Sequence, residues 1–137
     1  MHLSQIPVSV KDMKILIIDD DRNMTDMWTI ALRNANFEIL VATTAKEGIE
    51  KAKNEKPEFI LLDQIMPDMK GNDVLRLMKA DPDINTIPVA VVSNYSEEKM
   101  MNEAIEAGAV DYILKYQIEP QDLVEKIRVL VPSAQLN

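Results

Sequence analysis

The sequence contains no cysteine, and its single histidine is His2, close to the N-terminus. A chain without cysteine forms neither disulfides nor thiolate metal sites, and it has no cysteine nucleophile. One histidine in a terminal segment also excludes a histidine-based metal site or catalytic triad. Any metal or nucleophilic chemistry therefore has to rest on oxygen and amine side chains.

Positive charge is scarce as well. The chain has 15 lysines and arginines against 23 aspartates and glutamates, which gives a formal net charge of -8. Such a surface repels phosphate backbones, so nucleic acid is not expected as a direct partner. The chain also lacks an apolar run of about 18 residues and the basic start of a signal peptide. We expect a cytoplasmic protein without a membrane partner.

The rest of the composition suits one globular domain. The length of 137 residues and the hydrophobic content of 47% are typical of a single core. We predict a domain over residues 13–131, an N-terminal tail over 1–12 and a C-terminal tail over 132–137. Because only a short segment follows the last predicted helix, we expect a domain that acts alone, without an attached output domain.

Short apolar runs alternate five times with amphipathic segments, and this alternation predicts a parallel sheet covered by helices. Thr44 and Glu47 have the spacing of a capping box, Ser96 is predicted to cap the fourth helix, Gly108 to end it, and Pro120 to open the fifth. The predicted strands are 14–18, 37–42, 59–62, 88–92 and 109–114, and the predicted helices are 24–34, 45–53, 73–80, 97–107 and 121–130.

Polar side chains follow four of the predicted strands. Asp19 and Asp20 follow the first strand, Asp63 the third, Ser93 the fourth and Lys115 the fifth. Because crossovers between parallel strands are right-handed, these ends gather along one edge of the sheet. Carboxylates held together repel one another unless a cation or a proton joins them, and oxygen ligands without histidine or cysteine favour Mg²⁺. The sequence therefore predicts a composite Mg²⁺ site.

This set of side chains suits phosphoryl transfer to a carboxylate. Asp63 would attack in line, while the metal, Lys115 and the Ser93 hydroxyl would stabilise the oxygens of the transferred group. A phosphoryl group brings roughly -1.5 to -2 charge and new acceptor oxygens. We expect Ser93 to move toward it and Tyr112 to swing into the vacated space. That movement would repack the face formed by the fourth helix, fifth strand and fifth helix, as a population shift.

Four stretches follow one another with a characteristic order and spacing: KILIIDDD at 14–21, LLDQIMPDMKG at 61–71, IPVAVVS at 87–93 and EAGAVDYILK at 106–115. Together they resemble the receiver domain of two-component response regulators. The resemblance implies a flavodoxin-like, doubly wound (βα)5 fold with a five-stranded parallel sheet of order 2-1-3-4-5.

The resemblance also assigns roles to individual residues. Asp63 would be the phosphoacceptor, forming an aspartyl phosphate, and Asp19 and Asp20 would bind Mg²⁺ with the backbone carbonyl of Ile65 as a further ligand. Three other positions match family sites: Ser93 the switch hydroxyl, Tyr112 the switch aromatic residue and Lys115 the phosphate-binding lysine.

The same resemblance implies partners. The phosphoryl group would come from a histidine kinase or a histidine phosphotransfer protein, because the chain has no usable donor histidine of its own. The phosphoprotein would then act like stand-alone regulators of phosphorelay signal transduction, presenting its switched face to a downstream effector protein. Homodimer formation is a further possibility that the sequence leaves open. The domain itself would be a signalling phosphoacceptor and not an enzyme.

Several residues depart from the usual receiver pattern. Tyr116 and Gln117 follow Lys115 where the family usually has a proline with a cis peptide bond; a non-proline cis bond costs about 2.5 to 4 kcal/mol and is not expected. Ile65 and Tyr95 flank the path of a hydrolytic water, and neither side chain can orient water. We therefore predict slow autodephosphorylation. Asn94 stands where the family usually has a small residue such as alanine, and we expect its bulk to narrow access for small phosphodonors.

Other interpretations of these residues remain open at this point. Asp19 to Asp21 could cap the first helix, and Lys115 could be an ordinary solvated lysine. A Mg²⁺-dependent phosphatase also uses an aspartyl phosphate, but it needs a general acid where Ile65 stands and a substrate-covering cap. The stronger rival is a receiver-like interaction module that works without phosphorylation.

Overall fold

The computed structural model describes residues 13–131, in which strands and helices alternate. The predicted tails over 1–12 and 132–137, including His2, lie outside the described residues. No helix in the described part is long and apolar enough to cross a membrane. The elements are β1 (Met13–Ile18), α1 (Arg22–Asn34), β2 (Phe37–Ala42), α2 (Ala45–Glu55), β3 (Phe59–Asp63), α3 (Gly71–Ala80), β4 (Val89–Ser93), α4 (Glu98–Glu106), β5 (Asp111–Leu114) and α5 (Pro120–Leu130).

The strands form one parallel sheet in the order β2-β1-β3-β4-β5, which confirms the predicted flavodoxin-like topology. All five residues of β3 are buried, as expected for a central strand covered on both faces. The strand order reverses between β1 and β3, and ligands of such sheets bind at this point, outside the carboxyl ends of the strands.

Two hydrophobic cores cover the two faces of the sheet. In β1, Ile15 and Ile17 belong to the core under α1 and α5, whereas Leu16 and Ile18 belong to the core under α2, α3 and α4. This alternation follows from the two-residue period of a strand. Trp28 of α1 is fully buried in the first core.

The prediction that Ser96 caps the fourth helix was wrong. The first backbone bond of α4 runs from Met101 N to Glu97 O, so the amides that need a cap begin after Glu97 and Ser96 lies one residue too early. Glu97 is the N-cap residue and makes no side-chain cap bond. Helix α4 therefore starts without the stabilisation that a capping hydroxyl provides.

The ends of the other helices agree more closely with the positions predicted from the sequence. Thr44 Oγ1 accepts a hydrogen bond from Glu47 N at 3.1 Å, as a capping box requires, but the Glu47 carboxylate accepts from Thr43 N, one residue before the usual donor. Pro120 opens α5 as predicted. Strand β5 begins at Asp111 and not at 109, because Gly108 has a φ of 114° and ends α4 in a turn.

Candidate functional site

Three carboxylates meet at the carboxyl edge of the sheet. Asp19 follows β1, Asp20 is the next residue, and Asp63 ends β3; one oxygen from each lies within 4.8 Å of the others. The pairing of Ile18 with Leu62 in β1 and β3 brings these strand ends side by side. Asp19 and Asp63 are buried, whereas Asp20 is exposed. The cluster therefore joins a buried carboxylate pair to a solvent-facing one.

Lys115 lies between the two buried carboxylates. Its Nζ is 3.0 Å from Asp19 Oδ2 and 3.1 Å from Asp63 Oδ1, and the side chain is almost fully buried. Burial by itself lowers the pKa of Lys115, but the hydrogen bond from its ammonium to Asp19 and the charges of Asp19 and Asp63 outweigh burial and raise that pKa. The lysine is therefore cationic at neutral pH.

Asp63 is the carboxyl group whose ionisation is hardest to maintain. Burial, followed by the negative charge of Asp19, raises its pKa to about 6, although Lys115 and the backbone N–H of Ile65 act in the opposite direction. The ammonium of Lys115 thus faces the two buried carboxylates of Asp19 and Asp63, and the exposed carboxylate of Asp20 lies next to them. Such an excess of negative charge calls for another cation.

The donor atoms fit a hard divalent cation. All of them are oxygens, as Mg²⁺ prefers. Asp19 Oδ2 is buried and receives no hydrogen bond, although it lies close to Lys115 Nζ. Asp19 Oδ2 can therefore coordinate a cation directly, and the exposed carboxylate of Asp20 beside it leaves room for the water molecules that Mg²⁺ retains.

A pocket of about 290 Å³ opens above Asp63. It gives the carboxylate direct access from solvent, and its polar lining suits a small anionic group. Ile65 and Tyr95 both line it and are exposed. The lining residues are Asp20, Asp21, Asp63, Gln64, Ile65, Ser93, Asn94, Tyr95 and Lys115.

The sequence interpretation missed Gln64, which joins the two predicted switch residues. Ser93 Oγ donates a hydrogen bond to Gln64 Oε1 at 2.5 Å, and the Tyr112 hydroxyl lies 3.2 Å from the same oxygen and 2.8 Å from Tyr95 O. The Tyr112 hydroxyl therefore already reaches the neighbourhood of Asp63. The one signal in the sequence was an amide directly after Asp63.

A second unforeseen contact joins the loop after β5 to the loop after β1. The Tyr116 hydroxyl donates to Asp21 Oδ2 at 2.6 Å, and this bond is the main cause that lowers the pKa of Asp21 and raises the pKa of Tyr116. Asp21 Oδ1 accepts from Met24 N and caps α1. Asp21 is thus the helix cap of the alternative interpretation, while Asp19 and Asp20 form the acidic cluster. No peptide bond within residues 13–131 is cis.

The loop between β3 and α3 is held by hydrogen bonds in its middle and between its ends. Asp68 accepts hydrogen bonds from Ala45 N and Lys46 N, so it caps α2 from a distant part of the chain. Gly71 N donates to Gln64 O at 2.6 Å, and a Cβ at Gly71 would collide with the carbonyl oxygen of Asp63. Glycine is therefore required for the close approach that fixes Asp63 and Gln64.

Comparison with known proteins gives a consistent result. The family model for the response regulator receiver domain matches residues 15–128. The chemotaxis protein CheY of Thermotoga maritima is 36% identical over 116 residues, which cover 83% of this chain and 93% of CheY. The DNA-binding response regulator MtrA of Mycobacterium tuberculosis is 31% identical over 115 residues, which cover 84% of this chain. The chain spans only 49% of MtrA.

Solved structures show the same fold. A CheY-like receiver domain protein from Methanospirillum hungatei superposes with a TM-score of 0.81 at 31% identity, over 92% of this chain and 98% of the other. A response regulator from Chloroflexus aurantiacus superposes with a TM-score of 0.84 at 25% identity, over 89% and 99%. In the present chain, the acidic triad of Asp19, Asp20 and Asp63 is typical of a receiver Mg²⁺ site. The chain therefore belongs to the response regulator receiver domain family, whose members are signalling phosphoacceptors of two-component systems and not enzymes.

Proposed function

We propose that this chain accepts a phosphoryl group on Asp63 in a Mg²⁺-dependent reaction and signals through the face formed by α4, β5 and α5. The observation that carries the proposal is the position of Lys115 Nζ, which lies within 3.1 Å of both Asp19 and Asp63 at the base of an open pocket. A buried ammonium beside an accessible carboxylate provides the counter-charge that an arriving phosphoryl group needs.

Asp63 acts as the nucleophile. Its carboxylate oxygen attacks phosphorus in line, so that a P–O bond forms as the P–N bond of a phosphohistidine breaks. Only the ionised carboxylate attacks, and a pKa of about 6 leaves Asp63 mostly ionised at neutral pH. Lys115 remains beside the group after transfer and pairs with its oxygens.

Mg²⁺ would be held by the carboxylates of Asp19, Asp20 and Asp63 and by the backbone carbonyl of Ile65. When bound, it supplies positive charge to the phosphoryl oxygens. Ser93 would donate its hydroxyl to a phosphoryl oxygen, and Tyr112 would respond as the second switch residue. Ser93 ends β4, and Tyr112, the second residue of β5, reaches the site through its hydroxyl, which lies 3.2 Å from Gln64 Oε1.

Membership in the family implies a kinase partner. We propose a histidine kinase or a histidine phosphotransfer protein as the phosphodonor, and a cytoplasmic location. Exposed apolar side chains on and beside α4 support an effector surface there, since such residues are common at protein contacts. They are Met101, Ile105 and Val110.

The first test uses amide NMR with Mg²⁺ and beryllofluoride, which mimics a phosphoryl group on aspartate. Saturable shifts that spread from Asp63 to Ser93, Tyr112 and α4 are expected, and Asp63→Ala should abolish them. Asp26→Asn, which changes an exposed aspartate of α1, should leave them unchanged. Absence of any response in the folded wild-type protein would instead favour a phosphorylation-independent interaction module, with which the existing Tyr112 contacts are compatible.

A further inference from the structure

Gln64 lies beside the phosphoacceptor but has no role in the function proposed so far. It is 6% exposed and directly follows Asp63. Its backbone is fixed on both sides, because Gln64 N donates to Val92 O at 2.9 Å and Gln64 O accepts from Gly71 N at 2.6 Å. The side-chain carboxamide lies beside β4 and β5, where Oε1 contacts the hydroxyls of Ser93 and Tyr112.

The hydrogen bonds of Ser93 leave it no free proton. A serine hydroxyl has one proton, and Ser93 donates that proton to Gln64 Oε1. Ser93 Oγ also accepts from Tyr95 N at 2.9 Å, and the side chain is only 1% exposed. As long as the bond to Gln64 persists, Ser93 cannot donate to an oxygen attached to Asp63.

We propose that Gln64 is a positioning residue that holds the Ser93 hydroxyl proton away from Asp63 and thereby sets the threshold of the switch. This inference rests on the proposed function, in which Ser93 turns toward the phosphoryl group. A charged phosphoryl oxygen is a stronger acceptor than a carboxamide and can win the proton. Breaking the hydrogen bond between Ser93 and Gln64 then costs free energy, which weakens the binding of the phosphoryl group to the site.

The same oxygen provides a physical link between Ser93 and Tyr112. The single phenol proton of Tyr112 has two acceptors within reach, Tyr95 O at 2.8 Å and Gln64 Oε1 at 3.2 Å. When Ser93 leaves, Gln64 Oε1 would lose one donor while the Tyr112 hydroxyl remains beside it. A buried acceptor is costly to leave unsatisfied, so the departure of Ser93 favours a closer contact between Tyr112 and Gln64.

Gln64→Leu tests the inference, because leucine is similar in size but cannot accept a hydrogen bond. The Ser93 hydroxyl would then lack an acceptor in the free protein and would gain one when beryllofluoride binds. We expect the dissociation constant of beryllofluoride in Mg²⁺, measured by NMR titration, to fall by about fivefold, the usual worth of one hydrogen bond. A purely structural role would lower the stability of the fold and leave this constant unchanged.

Ser93→Ala provides the matched background. It removes the hydroxyl that Gln64 is proposed to hold, so adding Gln64→Leu to Ser93→Ala should no longer tighten beryllofluoride binding. A double-mutant cycle of these variants isolates the coupling between the two side chains. An equal tightening in both backgrounds would show that Gln64 acts independently of Ser93 and would overturn the inference.

A measurement on the free protein separates this inference from the proposed function. The side-chain carbonyl ¹³C signal of Gln64 should move in Ser93→Ala, because Oε1 loses a donor, and a smaller movement is expected in Tyr112→Phe. An unmoved signal in Ser93→Ala would overturn the inference while leaving phosphorylation intact. If Ser93→Ala moves the Gln64 signal but the wild-type protein binds no beryllofluoride, the hydrogen bond exists and the proposed function is wrong. The effect of Gln64 on phosphoryl binding would then be wrong as well.

Discussion

The negative charge of Asp63 is needed for the proposed function but opposes folding. Burial and the charge of Asp19 raise its pKa from 3.8 to about 6, so the folded protein binds this proton more tightly than the unfolded chain does. The unfolded chain therefore releases the proton at lower pH, and stability falls as pH rises through the window between these two values. At neutral pH the full cost of the buried charge is present.

We therefore expect Asp63→Asn to be more stable than the wild-type protein at pH 7 without metal, by roughly 2 kcal/mol. Lys115 keeps Asp19 as its partner in this variant. The measurement is urea unfolding at several pH values, and the advantage should disappear below about pH 4, where the carboxyl is protonated in both states. Asp26→Asn serves as the control, and a variant no more stable than wild type at pH 7 would contradict the prediction.

Under the proposed function, we expect Ile65 to determine how long the phosphorylated state lasts. It is 52% exposed and lines the pocket, but its apolar side chain cannot hold an attacking water. We expect Ile65→Asn to accelerate loss of phosphate on the order of tenfold, because an amide can orient the water. Protein phosphorylated with acetyl phosphate can be followed by ³¹P NMR. Leu77→Asn, an equal change on the exposed surface of α3, should keep the slow wild-type rate; loss within seconds in the wild type would refute the argument.

At the scale of elements, the contact between Tyr116 and Asp21 ties the loop before α5 to the start of α1. Tyr116 is 68% exposed, so this hydrogen bond, and not burial, holds the ring in place. We expect Tyr116→Phe to cost less than about 1 kcal/mol of stability. Its main effect should be faster amide hydrogen exchange at residues 116–119. Tyr95→Phe removes another phenol at the pocket rim and should not change exchange there; equal rates in both variants would contradict this tie.

The elements of this fold are predictable because their signals are local. An apolar run such as that of β3 is buried on both faces, and the polar residue at its carboxyl end, Asp63, reaches the site by strand order alone. The role of Gln64 was not predictable, because its partners Ser93 and Tyr112 are 29 and 48 residues away. Asp68, which caps α2 across 23 residues, escaped for the same reason. Such contacts depend on how the loops cross the edge of the sheet, and the hydrophobic periodicity of the sequence does not predict them.

At the scale of the whole molecule, the chain has a net charge of -8, and part of this excess lies where the carboxylates of Asp19, Asp20 and Asp63 face the single ammonium of Lys115. A cation that binds only the folded state must stabilise it by mass action. At a Mg²⁺ concentration about 100 times its dissociation constant, the free energy of unfolding should rise by about 2.7 kcal/mol. Asp20→Asn should lose most of this gain and still fold, because Asp20 is exposed.

Thermal unfolding with increasing MgCl₂ measures this gain, and KCl at equal ionic strength corrects for general screening of surface charge. A specific site gives a midpoint that rises with the logarithm of Mg²⁺ concentration in the wild type and in Asp26→Asn, but hardly in Asp20→Asn. The same rise in all three proteins would mean that Mg²⁺ acts on the acidic surface in general. That result would contradict a specific Mg²⁺ site at the carboxyl edge of the sheet. Asp20 and Asp26 are both exposed aspartates, so only specific binding at the site can make Asp20→Asn differ from Asp26→Asn.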